Sequence, residues 1–344
     1  MHPLHALLES PLGGEGFSGE RVLRSEFCEI EIAAISSGES SRFCYTKGEP
    51  GEELLRSVKR FGLLSPIGVV KTGSAWELVY GSKRCEALRR LDFSRAPARV
   101  LDGTAEELLD AALEDNLSTR ELTGGERARF VRLLIEKWSL KPGEVALRWA
   151  ARAGLAAQAE HIADLARCAR EADLLAALDA GSLDERSACE ALALSPPARA
   201  ELLKLAAAGL KFTRSEFRDV IRMVADLCAV GSLDAQQPFA RPLFSEILAD
   251  TRWDPKKRAE NFVEALRNLR YPELSDRRAR MDREISRLRG LCGAVIRYDP
   301  SFESKKVEVS ISAAKPQEMR KAAEKLAKAL DAENCRQLFT PLED

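Results

Sequence analysis

The chain has almost no net charge. Its 344 residues carry 53 Lys and Arg against 54 Asp and Glu, a formal charge of −1. That excludes a globally basic, histone-like protein, while local basic patches for nucleic acid remain open. Aromatics are scarce at 6%. No apolar run approaches the ~18 residues that a membrane span needs. The first twenty residues lack the basic start and apolar stretch of a signal peptide. We therefore expect a soluble, cytoplasmic protein with no membrane contact. Histidine is confined to His2, His5 and His161, and the eight cysteines are scattered with no CxxC pair. A structural zinc centre needs clustered ligands, so none is expected. A disulfide framework is not expected either, and most of the cysteines read as small core residues. There is no Ser-His-Asp set and no GxxxxGK[ST] loop.

What is abundant points to helices. Hydrophobic residues make up 45% and charged residues 31%, enough apolar content to build cores. Ala, Leu, Arg and Glu dominate, which favours helix over β-sandwich. The length implies roughly two or three domains. Residues 1–26, rich in Gly, Pro and Ser, read as a flexible lead. A compact α/β pattern follows. Ile30, Ile32 and Ile35 mark a short strand and its exit. Leu54, Leu55, Val58 and Phe61 form one helical face that Gly62 ends. Ile67, Val69 and Val70 form a strand, paired with Trp76 to Tyr80 across a Thr72-Gly73-Ser74 turn. A helix opens at Ser82, and Ala98 to Leu101 is another strand. Thr104-Ala-Glu-Glu107 and Thr123-Gly-Gly-Glu126 are capping boxes; they open helices through Leu117 and Trp138. From there to about residue 290 the pattern is helical. A helix with Leu274, Met281, Ile285 and Leu288 on one stripe leads to two strands, Ala294 to Tyr298 and Val307 to Ile311. Pro316 starts a last helix with Met319, Ala323, Leu326 and Leu330 expected inward.

Three polar signals carry chemistry. In Tyr80-Gly81-Ser82-Lys83-Arg84 a strand ends, a glycine permits close approach, and two cations sit at a helix N-terminus. Free backbone N–H groups there favour an anion or phosphate. Glu114-Asp115-Asn116 supplies oxygen ligands of the kind Mg²⁺ takes. Gly62-Leu63-Leu64-Ser65-Pro66-Ile67 joins helix to strand and offers backbone groups to the edge of a base. Each also has an ordinary structural reading: a solvated first turn, an exposed acidic helix end and a plain connection.

The order of these signals resembles the N-terminal domain of the ParB family of DNA-partition proteins. That family shows a GLLQPI-like turn, a GERR motif before an alanine-rich helix, and an ENLQR motif. Here the corresponding stretches are GLLSPIGVV, ELVYGSKRCEALRRL and LEDNLSTREL. The resemblance implies binding of CTP with Mg²⁺, which closes a dimer into a clamp on DNA. It implies nucleotide contacts from Gly62, Leu63, Leu64, Ser65, Pro66, Gly81, Ser82, Lys83, Arg84, Asn116 and Arg120, with Arg42 standing for the family's early arginine. It implies metal contacts from Asp115 and Asn116. Leu140 to Cys168 resembles the helix-turn-helix that follows, with Gln158 and His161 as base readers and Arg148, Arg152 and Arg167 on phosphates. Residues 180–188 resemble a further family segment.

The departures are specific. The motif's glutamate is Ser82 and its first arginine is Lys83, which keeps the charge and loses bidentate geometry. The family ties that glutamate to hydrolysis, so we expect at most a weak CTPase. Asp115 replaces a glutamate, Thr119 stands where an arginine is expected, and Arg120 falls one position late, about 100° round a helix. The expected recognition helix, Leu155 to Ala169, is alanine-rich. The helix from Leu274 carries six arginines and could serve a dimer interface with a basic outer face.

The fold class expected is α+β. The domains expected are the lead (1–26), a ParB-like nucleotide-binding α/β domain (27–122), a helix-turn-helix-like helical domain (123–205), a helical linker or domain (206–290), and a small β-β-α domain for dimerisation (291–344). The function expected is a nucleotide-gated, dimeric, nucleoid-associated DNA-binding protein of DNA partition, with a partition ATPase as a possible partner. Two alternatives stay open: a degenerate adaptor without turnover, and a nucleotide-dependent small-molecule kinase with Glu77 or Glu114 as base. Sulfiredoxin chemistry is disfavoured, because its cysteine would fall at Ser82 and Cys85 lies behind it.

Overall fold

The computed structural model describes residues 23–47 and 49–343. The chain forms two compact units, the first ending at Ala193 and the second beginning at Leu194. Most of the expected lead lies outside the described residues; its last part does not, because β1 already begins at Arg24.

The first unit is built on a mixed five-stranded sheet. Its strands are β1 (Arg24–Glu31), β2 (Ile35–Ser36), β3 (Ile67–Thr72), β4 (Ala75–Tyr80) and β5 (Arg95–Asp102), in the order β1-β5-β3-β4-β2. The β3–β4 hairpin turns at Gly73, whose φ of 62° suits glycine. β3 lies centrally and is paired on both sides. Its Ile67 and Val69 are fully buried. β1 is a charged edge strand that buries only Ile30. That lack of alternation is why the sequence marks only its end. Pairing with β1 along its whole length extends β5 beyond the expected Ala98–Leu101.

α1 (Glu52–Phe61) and α2 (Ser82–Arg90) cover the sheet, with Val58, Cys85, Ala87 and Leu88 in a core with Ile67, Val69 and Leu78. α3 (Ala105–Leu117) and α4 (Gly124–Glu136) open on the two expected capping boxes, each complete in both directions. α5 (Pro142–Arg148), α6 (Ala159–Cys168), α7 (Ala172–Ala180) and α8 (Glu185–Ala191) complete the unit. α6 starts at Ala159 rather than Leu155, since Gly154 turns the chain at φ 72°, residues 155–158 are not helical, and the N-cap Gln158 is extended.

The helices are anchored to the sheet around residues 41–47. Phe130 of α4 packs on Tyr45 at 4.9 Å and on Trp149 at 5.9 Å. The Trp138 indole donates to the Arg42 carbonyl at 2.8 Å, and Lys137 donates to the Ser41 carbonyl at 2.9 Å. Beneath them, buried Glu77 accepts from the Arg42 backbone N–H and, at 2.9 Å, from its guanidinium.

In the second unit, α9 (Pro196–Ala207), α10 (Arg214–Ala229), α11 (Pro242–Ala249) and α12 (Pro255–Arg270) precede α13 (Pro272–Cys292). Phe262 of α12 gathers Phe239 and Phe244 at 5.3 and 5.0 Å. The antiparallel hairpin of β6 (Val295–Tyr298) and β7 (Val307–Ser310) is followed by α14 (Pro316–Ala329) and α15 (Ala332–Glu343). α15 adds a second helix to the expected β-β-α pattern. Its Leu338 and Leu342 pack on Met281 and Leu288 of α13. With that stripe covered by α15, α14 turns differently from expectation. Met319 and Ala323 are exposed, and Leu326, Ala329 and Leu330 face inward.

Replacing Glu77 with Ala strands the Arg42 guanidinium and its backbone N–H on a half-buried surface. We expect a loss of about 2–3 kcal/mol, readable in chemical denaturation.

Candidate functional site

A cleft of about 380 Å³ opens where β4 passes into α2, walled by residues 43–46, the end of the 62–66 turn and the C-terminal part of α3. Gly81 is the N-cap of α2 and sits in the left-handed region, at φ 91° and ψ 31°. A Cβ there would lie 3.1 Å from Ile67 and 3.2 Å from Arg84. No side chain caps α2, so its first N–H groups are presented to whatever enters beside Ser82 and Lys83.

Arg84 is held in the cleft from two sides. It donates to the Pro66 carbonyl at 2.7 Å and the Ser65 carbonyl at 3.3 Å, and to both oxygens of Asp115 at 2.9 and 3.0 Å. Its guanidinium lies 5.9 Å from the centre of the Tyr80 ring. Tyr80 takes that position because Gly68, its partner across the hairpin, has no Cβ to collide with the ring. One arginine thus ties the 62–66 turn, α2 and α3 together.

The opposite wall is also hydrogen-bonded. Asn116 donates to the Tyr45 hydroxyl at 3.0 Å, and that hydroxyl donates to the Ala112 carbonyl at 3.2 Å. Burial pushes the Tyr45 phenol well above its usual range, so it stays a neutral donor. Arg120 is held by Glu126 at 2.5 and 2.7 Å. Burial works to raise the Glu126 carboxyl, but Arg120 and the Thr123 N–H outweigh it and hold it below its usual range. Ser82 sits within 3.4 Å of the Thr46 hydroxyl and 3.7 Å of the Cys44 sulfur.

The structure therefore brings Ser65, Gly81, Ser82, Lys83, Arg84, Asp115, Asn116 and Arg120 to one cleft. It adds Tyr45 and Thr46, which have no motif of their own in the sequence, and Thr119, which stands at the motif's missing arginine. Gly62, Leu63, Leu64 and Pro66 do not line it. Leu63 packs on the sheet core, Leu64 is 78% exposed, and Pro66 contributes its carbonyl to Arg84. Arg42 does not reach the cleft, because the buried Glu77 carboxylate holds it. Neither carboxylate considered as a kinase base lines the cleft: Glu77 pairs with Arg42 and Glu114 with Arg152.

The expected metal pair does not fit a magnesium site. Both Asp115 oxygens are on Arg84, and the Asn116 side-chain oxygen faces Arg120 at 3.4 Å. Among the described residues no group of three or more acidic, Cys or His side chains is placed to hold a metal.

The residues expected on DNA divide. Gln158 is exposed at the start of α6, and Arg167 is exposed but paired with Asp164 at 3.0 Å. Arg148 and Arg152 pair with carboxylates of α3. His161 is no base reader here. It is tucked between α6 and α8, with Nδ1 3.8 Å from the Cys189 sulfur and Nε2 3.8 Å from Glu185. The sequence shows His161 on a helix but not that α8 covers it.

These features define an α+β protein whose first unit presents a polar, cation-lined cleft at a strand-to-helix junction. Residues 17–117 match the family model of the ParB N-terminal domain. The chromosome-partitioning protein ParB of Myxococcus xanthus is 28% identical over 130 residues, 38% of this chain and 44% of that protein. The chromosome-partitioning protein Spo0J of Thermus thermophilus is 33% identical over 148 residues, 43% of this chain and 53% of its own. The match thus spans about half the length of these curated relatives. Among solved structures, the C-terminally truncated ParB of Caulobacter crescentus complexed with CTP-gamma-S aligns at 21% identity and a TM-score of 0.25, covering 53% of this chain and 99% of that one. Residues 17–117 of this chain thus form a domain of the ParB N-terminal type. Among the described residues no helix is long and apolar enough to cross a membrane.

His161 supplies a pH test of the packing of α6 on α8. Hydrogen bonding to Cys189 and Glu185 raises its pKa from 6.5 to about 9. The folded state therefore binds the proton more tightly than the unfolded chain. This contribution is complete below pH 6.5 and is lost as pH rises through about 9. Melting temperature should fall across that window, and the fall should be smaller in His161→Asn.

Proposed function

We propose that this chain binds a nucleoside triphosphate, CTP, in the cleft beside Gly81, and acts as a nucleotide-gated DNA-binding dimer in DNA partition. The observation that carries the reading is Arg84, fixed by two backbone carbonyls and Asp115 beside an uncapped helix N-terminus. Phosphates placed there meet the α2 N–H groups, Arg84 and Lys83 together. Ser65 places the 62–66 turn against the base. The preference for CTP rests on the match of residues 17–117 to the ParB N-terminal domain.

Asp115 gives the site its gate. It neutralises Arg84 in this structure, and an incoming phosphate competes for the same guanidinium. Binding would therefore release the C-terminal turn of α3, so the nucleotide favours a state with α3 displaced. With Ser82 in place of a carboxylate, the site is suited to binding and not to turnover. The α5–α6 pair carries the DNA-binding half of the reading, and α13 with the β6–β7 section carries dimerisation.

Calorimetric titration with CTP, ATP and GTP tests the first half. CTP should bind selectively, and Arg84→Ala should weaken it by about 10- to 100-fold, as loss of a charge-assisted contact does. Circular dichroism should stay unchanged. Absence of binding by any nucleotide, with and without DNA, would overturn the nucleotide reading; selective ATP binding would reopen the kinase.

For the second half, affinity for mixed-sequence duplex DNA should fall linearly with the logarithm of salt concentration. A flat dependence would remove the arginines from the DNA contact.

A further inference from the structure

Arg148 and Arg152, at the end of α5 and in the turn after it, do not point freely into solvent. Arg148 is paired with Glu106. Arg152 is forked between Asp110 and Glu114, the second contact at 2.8 Å, and its guanidinium lies 5.7 Å from the centre of the Trp149 ring. Glu106, Asp110 and Glu114 are spaced by four, so α3 presents them as one acidic stripe along a single face. The pairing joins residues 38 to 42 positions apart in sequence. It is therefore a tertiary contact and not a helix's own charge ladder.

We propose that this stripe is a built-in stand-in for the DNA backbone, which masks Arg148 and Arg152 until a duplex displaces it. A guanidinium engages a carboxylate and a phosphodiester oxygen through the same kind of N–H fork, so each donor held by a carboxylate is withheld from a phosphate. The pairs are partly solvated, with the Glu114 side chain 60% exposed. Such pairs hold weakly enough for a polyanion to replace them. Asp115 and Asn116, the next two residues of α3, line the nucleotide cleft. One helix therefore presents one face to the arginines and an adjoining face to the cleft. The inference deepens the DNA-binding reading above and rests on it.

The test is a double-mutant cycle on the full chain, with fluorescence anisotropy on a labelled mixed-sequence duplex. The triple variant Glu106→Gln, Asp110→Asn, Glu114→Gln should bind DNA about five- to tenfold more tightly than the parent, as two freed phosphate contacts imply. The same triple change in an Arg148→Ala, Arg152→Ala background should bring little or no gain. Glu114→Gln alone, the most exposed of the three positions, guards against a folding defect and should give a smaller gain in the same direction. An equal gain in both backgrounds would mean general charge repulsion and overturn the mask. So would no gain in either, while parental DNA binding would leave the wider reading standing. Absence of DNA binding by every variant would sink both.

Discussion

The guanidinium of Arg84 is the interaction on which the first unit's cleft depends. It reaches the backbone of the 62–66 turn on one side and a carboxylate of α3 on the other, from the first turn of α2. Three segments distant in sequence are thereby fixed about one charge. A planar fork can do this because separate donors serve the carbonyls and the carboxylate at once. A lysine in that position would bring three donors on one nitrogen and no planar fork to span the two sides. The glycines around it are explained by the same constraint. Gly81 places the start of α2 close to Arg84 and Ile67, and Gly68 leaves room for the Tyr80 ring beside the guanidinium.

α3 is the second organising element. Its capping box sets where it starts, its apolar face joins the packing of the first unit, and its polar residues look two ways. Glu106, Asp110 and Glu114 meet Arg148 and Arg152, while Asp115 and Asn116 meet Arg84 and Tyr45. A displacement of this helix would alter both sets of contacts together. On the proposed function, coupling between a nucleotide and DNA needs no long pathway, only one helix with two polar faces and two competing anions.

The sequence was most legible where local chemistry decides structure. Thr104 and Thr123 formed the expected capping boxes, because both partners lie within one helical turn. The glycine after β4 and the cations after it lie at the cleft, because strand end, helix start and charge are adjacent in the chain. Legibility failed where a partner came from elsewhere. Arg42 looked like a phosphate ligand until buried Glu77 claimed it. His161 looked like a base reader on α6 until α8 covered it. Met319 and Ala323 looked inward because nothing in the periodicity of α14 announces that α15 fills the space beside α13.

By itself, then, the sequence determined the class of fold, most of the strands and helices of the first unit, the starts of α2, α3 and α4, and the position of the strand-to-helix junction at Gly81. These follow from periodicity, caps and glycines, which act over a few residues. Only the tertiary structure decided which charges were available. It paired Asp115 with Arg84 and so closed the expected metal site. It set α3 against Arg148 and Arg152, and it drew Tyr45 and Thr46 into the cleft. Charge pairing depends on which surfaces meet, and residues some 40 positions apart meet only when the chain has folded.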